Sequence, residues 1–65
     1  MSFKEWLYDQ LVNDGIIDDS TELEELTEAM LLEDTEVDIY DIENYKEQFL
    51  EHCAAIGASP VWDVE

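Results

Sequence analysis

The sequence predicts an all-α protein: a small three-helix bundle with a short C-terminal tail packed on it. Three observations carry that reading. Apolar residues recur at three- and four-residue steps in three separate segments. Serine or aspartate residues with capping potential stand ahead of those segments. Single glycines, Gly15 and Gly57, stand where the first and third patterns end, as a left-handed helix stop requires. The length of 65 residues fits one domain, read here as a single acidic helical domain over residues 1–65.

The first helix opens with Ser2 and Glu5, spaced as a capping box. Phe3, Trp6, Leu7 and Leu11 follow on one face with Gln10 among them, and Asn13-Asp14-Gly15 ends the run. Ile16 and Ile17 return the chain to the core. The second helix is expected to start at Asp19 or Ser20, with Glu22 completing a capping pattern. Leu23, Leu26, Met30 and Leu31 share its inner face, and Glu24, Glu25 and Glu28 point outward. Asp34-Thr35-Glu36 reads as a connection. The third helix is the longest, with Ile42, Tyr45, Phe49, Cys53 and Ile56 on its apolar stripe and Glu43, Glu47 and Glu51 on its outer side. Asp38 or Asp41 caps it, and Val37-Asp38-Ile39 is alternatively a short extended piece. Ala58-Ser59-Pro60 breaks the helical pattern. Trp62 in the tail packs back onto the helices or onto a second subunit.

The charge is extreme. Nineteen Asp and Glu residues face two lysines and no arginine, giving a formal net charge of −17. High net charge favours disorder, but 46% of the residues are hydrophobic, including two Trp, three Tyr and two Phe, and acidic disordered tails are poor in these. Glu24/Glu28, Glu43/Glu47 and Glu47/Glu51 are like-charge pairs one helical turn apart, each costing an isolated helix about 0.2–0.5 kcal/mol. A sequence shaped for stability alone would alternate Glu with Lys. The deficit of positive charge runs through the whole chain, so the expected partner is a strongly basic protein, and proteins become strongly basic mostly to hold nucleic acid.

Magnitudes agree with that expectation. A domain of this length has a radius of gyration of about 11 Å and spans roughly 28 Å. A duplex of that length carries roughly 16 phosphate charges. The expected partner-binding residues are Glu24, Glu25, Glu28, Glu33, Asp34, Glu36, Glu43, Glu47 and Glu51, with Tyr40 as an aromatic anchor if the third helix begins early enough to set it beside Glu43. Tyr8 and Trp62 are further anchor candidates, weighed against core packing for each aromatic.

In length, acidity and acidic helical segments such as Asp18-Asp19-Ser20-Thr21-Glu22-Leu23-Glu24-Glu25-Leu26, the chain resembles the phage-encoded DNA-mimic inhibitors of the antirestriction and anti-CRISPR type. The resemblance spans the whole chain as composition and pattern, rests on no shared motif and transfers no individual residue. It implies a small inhibitor acting in the host cytoplasm, which blocks the nucleic-acid channel of a CRISPR effector or restriction enzyme without itself binding nucleic acid. The alternative is an acidic interaction module, such as an antitoxin, immunity protein or regulatory subunit, acting on a basic partner without mimicry. Adaptation to high salt is a third reading, and the plentiful Ile, Leu and aromatic residues weigh against it.

Enzymatic chemistry is not expected, nor is a cofactor or metal. Carboxylates are too abundant for any pair to signal acid–base catalysis. His52 and Cys53 are adjacent in a helix and diverge by about 100°. Cys53 is the sole cysteine, which excludes an internal disulfide and a cysteine-built zinc site. Gly15 and Gly57 form no phosphate-binding loop, and the region from Asp14 to Asp19 lacks the EF-hand ligand pattern. The segment Met1–Trp6 lacks a basic stretch followed by an apolar one, so no secretory signal is expected. No apolar run approaches the roughly 20 residues of a membrane span, and anionic lipid would repel this surface. A homodimer would double the acidic surface.

Overall fold

The computed structural model describes residues 1–64. It contains three α-helices: α1 (Phe3–Asn13), α2 (Glu28–Asp34) and α3 (Ile39–Ile56), with a 3-10 turn at Leu23–Glu25 between the first two. The described residues form no strand, and one isolated parallel bridge joins Ser2 to Val61. The three-helix, all-α architecture is the one the sequence predicts.

Local chemistry sets the helix ends. The Ser2 hydroxyl accepts from the Glu5 N–H at 3.2 Å and caps α1. Gly15 follows at φ 73°, and the Ile16 N–H donates back to the Leu11 carbonyl. Asp38 and Asp41 form a complete capping box at the start of α3, each side chain accepting from the other's backbone. Asp38 itself is extended, so the short extended piece and the cap coexist at that residue. Gly57 ends α3 at φ 69°, and the N–H groups of Gly57 and Ala58 both reach the Cys53 carbonyl. A side chain at either glycine would meet no steric obstacle, so the left-handed backbone alone is what favours glycine there.

The second helix departs from expectation. Asp19, Ser20 and Glu22 do not start it. Asp18 instead folds back to accept from the Ser20 N–H and hydroxyl, closing a tight turn. Leu23–Glu25 makes a single 3-10 turn, Leu26 and Thr27 are extended, and α2 begins only at Glu28. Thr27 causes the break. Its hydroxyl accepts from the Met30 N–H at 3.1 Å, an N-cap role that suits a β-branched hydroxyl residue better than a helix interior does. Leu23 and Leu26 therefore do not share a helix face with Met30 and Leu31. Leu26 is fully buried and Leu23 lies at the surface.

The core comprises Phe3, Trp6, Leu7 and Leu11 from α1, Leu26 and Leu31 from the middle segment, Val37, and Ile42, Phe49 and Cys53 from α3. It contains no buried polar or charged side chain. Ile56, expected on the core stripe, is 58% exposed. The physical reason is length: α3 runs about 27 Å against about 17 Å for α1, so its last turn extends beyond the helix that would cover it.

Trp62 packs back onto the helices, with ring centroids 5.1 Å from Phe3 and 5.3 Å from Phe49. Backbone bonds at 2.9 Å, from Phe3 N–H to Val61 carbonyl and from Val61 N–H to Met1 carbonyl, hold the tail beside the start of α1. Asp63 completes the clamp, accepting from the Ser2 hydroxyl and from the Lys4 N–H at 2.8 Å. Partial desolvation pushes the Asp63 carboxyl up, but these hydrogen bonds and the Lys4 charge outweigh it and hold it below the ordinary aspartate value.

Phe49→Ala should cost about 3–5 kcal/mol, comparable to the whole stability of a domain this small, and leave the chain largely unfolded by circular dichroism in dilute buffer. Asp63→Asn should lower stability by about 1 kcal/mol at neutral pH, a modest figure because the site is exposed. A depressed folded-state pKa stabilises above the unfolded value and loses that contribution as pH falls through the folded one. The gap between wild type and Asp63→Asn in urea unfolding should therefore be full above the usual aspartate value of about 3.9 and close below it.

Candidate protein-interaction surface

α3 begins at Ile39, early enough to place Tyr40 in its first turn. At about 100° per residue, Tyr40, Glu43, Glu47 and Glu51 fall about 100–180° around the helix from the Ile42–Phe49–Cys53 stripe. All four are exposed, and Tyr40 is 77% exposed, the most open of the large hydrophobic residues at the surface. The three glutamates advance by about 6 Å per step along the axis, so the row alone supplies about a quarter of the linear charge density of a duplex.

The remaining predicted residues distribute around the bundle. Glu25 and Asp34 meet Asp18 around a shallow depression floored by Ile17 and Met30. Glu36 and Asp41 flank another over Val37. Glu33 is exposed on α2. Glu28 differs from the others: its carboxylate lies 3.2 Å from the Lys46 Nζ and ties α2 to α3. That is the single ion pair among the described residues.

The helix packing also assembles carboxylates that sequence reasoning left out. A groove between α1 and α3 is walled by Glu5, Asp9 and Glu51, with Trp6 and His52 at its base. A second groove, between α1 and the 3-10 turn, brings together Glu5, Asp19, Glu22 and Glu24 beside Tyr8. Glu5 borders both, so a band of carboxylates runs from Glu51 on α3 across α1 to Glu24. Glu5 and Asp9 stand four residues apart on α1, a spacing the sequence shows, but their apposition to Glu51 and Glu22 depends on how the helices dock.

The aromatic candidates separate. Tyr8 is half-buried and its hydroxyl donates to the Thr21 carbonyl, pinning the loop after α1. Tyr45 is also half-buried; burial first, then the hydrogen bond to Asp14 and the charges of Asp14 and Asp41, push its hydroxyl pKa up. Tyr40 makes no side-chain hydrogen bond among those described. Cys53 is in the core and His52 on the surface near Trp6, with ring centroids 6.4 Å apart. Asp18 is held below its ordinary value by the Ser20 hydroxyl, against slight desolvation, with the Ser20 and Thr21 backbone assisting. Among the described residues no group of three His, Cys, Asp or Glu side chains is arranged to hold a metal ion, and no helix is long and apolar enough to cross a membrane.

No protein-family model, no curated protein and no solved structure matches this chain. The surface must therefore be interpreted from its own chemistry.

Glu47→Lys should convert two repulsive one-turn pairs into attractive ones, removing two costs and adding two gains of about 0.2–0.5 kcal/mol each, and so stabilise the protein by about 0.8–2 kcal/mol. For a domain of this size that should raise the melting temperature by about 3–16 °C in low salt, less in high salt, as followed by circular dichroism.

Proposed function

We propose that this protein is an acidic nucleic-acid mimic that occupies the basic nucleic-acid-binding surface of a host defence protein, a CRISPR effector or restriction enzyme in the cytoplasm of the host cell, and blocks DNA or RNA from binding there. One observation carries the reading: of nineteen acidic residues, one forms an ion pair among the described residues, so the folded chain leaves its charge uncompensated at the surface. Dimensions support it. The molecule extends 32 × 23 × 20 Å, and a duplex 32 Å long carries about 19 charges.

The mechanism is competition. A basic channel and a carboxylate surface of opposite charge release each other's counterions on contact, as the channel and phosphate do. The long-range field steers encounter, and the band from Glu51 to Glu24 together with the α3 row offers carboxylates over more than one face. Tyr40, in the first turn of α3 beside the acidic row, supplies an aromatic side chain that can bury on contact and add affinity charge alone does not give. The exposed Tyr40 equally serves an interaction module that grips a basic partner beside its nucleic-acid site, and the same experiment separates the two.

Adding this protein to the effector or nuclease bound to labelled duplex should displace the duplex in fluorescence anisotropy, with apparent affinity falling at least tenfold between about 0.05 M and about 0.2 M salt. Simultaneous binding of both ligands with unchanged affinities would overturn mimicry and leave the non-mimic module. Reversing Glu43, Glu47 and Glu51 to Lys should weaken displacement at least tenfold while the helical circular dichroism signal persists. Undiminished displacement would remove the α3 row from the interface.

A further inference from the structure

One groove stands apart from the acidic surface. Phe3, Leu50, Trp62 and Val64 line it, and Lys46 stands at its edge. Leu50 and Trp62 are each 47% exposed although Trp62 also packs on the core. The sequence contains two lysines, and each stands at or near this groove beside a carboxylate whose charge it offsets. Lys46 borders the groove and pairs with Glu28, and Lys4 follows Phe3 and donates its backbone N–H to Asp63, between Trp62 and Val64.

We propose that this groove is the face through which two copies of the chain associate as a symmetric dimer. The charge distribution identifies the occupant. Two molecules of charge −17 repel strongly if they meet through their carboxylate rows, and the repulsion is least where the positive side chains are gathered. The apolar content supplies the attraction. Ile39, Lys46 and Leu50 fall within about 40° of the circumference of α3, so the exposed apolar strip continues along the helix beyond the groove itself. Leu50 and Trp62 line the same groove, so a two-fold axis passing through it brings the same apolar residues of both copies together, as an isologous contact requires. A standard interface of about 800 Å² per partner is under a fifth of the 4347 Å² exposed by one chain. Glu43 borders the strip, about 20° round α3 from Leu50, whereas Glu47 and Glu51 lie about 60° and 100° beyond Leu50 and stay open.

The dimer is independent of the inhibitor reading and has the opposite salt signature. Acidic faces that repel across a dimer are screened by salt, so dimerisation strengthens as salt rises, whereas contact with a basic partner weakens.

Sedimentation equilibrium up to about 1 mM protein, at about 0.05 M and about 0.5 M salt, tests this. The expected result is a monomer–dimer equilibrium that tightens in high salt. Leu50→Glu, at an exposed position, should weaken it at least tenfold with the helical signal unchanged, and Lys46→Gln should weaken it severalfold, providing a second probe that leaves the apolar groove intact. A monomer at every concentration in both salts would overturn the proposal. So would a dimer that both variants form with the wild-type constant, or one that dissociates as salt is added.

Discussion

The contact between Phe3, Phe49 and Trp62 holds the protein together. Phe3 is fully buried at the start of α1, Phe49 is fully buried in α3, and Trp62 closes over both from the tail, with all three ring centroids 5.0–5.3 Å apart. Trp6 extends the cluster at 5.4 Å from Phe49. A chain of 65 residues has little apolar area to spend, and nearly every charged side chain on its surface adds repulsion. Large aromatic side chains bury the most area per ordered residue, which is how so small a core can hold against that field. Because no polar or charged residue is buried in the core, all the charge is left to the exterior, and the acidic surface is the other half of the same division.

Much of this was legible in the sequence because it is local. The caps at Ser2 and Asp38, the stops at Gly15 and Gly57, and the stripes of α1 and α3 are patterns within a few residues of one another. The break at Leu26–Thr27 was not, because the leucine spacing reads equally well as one continuous helix. Thr27 decides the matter by bonding to Met30, and a lone threonine with no Glu at the third helical position is a weak signal. Ile56 fits the stripe but overhangs its partner helix, a matter of relative helix length that periodicity does not contain. The tail clamp between Ser2 and Asp63 joins residues 61 positions apart, and nothing local announces it.

The candidate surface divides along the same line. The Glu43–Glu47–Glu51 row is a one-helix pattern and was readable, and the helix start at Ile39 brought Tyr40 onto it. Glu5, Asp9, Asp19 and Glu22 join the surface through docking of α1 against α3 and the 3-10 turn, so residues unremarkable in order become neighbours in space. Glu28 made the reverse passage. It looked like one more outward acid and proved to be the partner of Lys46, spending its charge on holding α2 in place.

The bridge between Ser2 and Val61 has a consequence for how the molecule is made. Phe3 leaves the ribosome well ahead of Phe49 and of its cover, Trp62. Until those residues follow, the aromatic face of α1 stays open, and α3 can dock on it only when Phe49 has emerged. The closing contact of this domain is therefore made late in its own synthesis, and a nascent chain halted between Phe49 and Val61 would display an uncovered aromatic patch inside an otherwise strongly anionic coat.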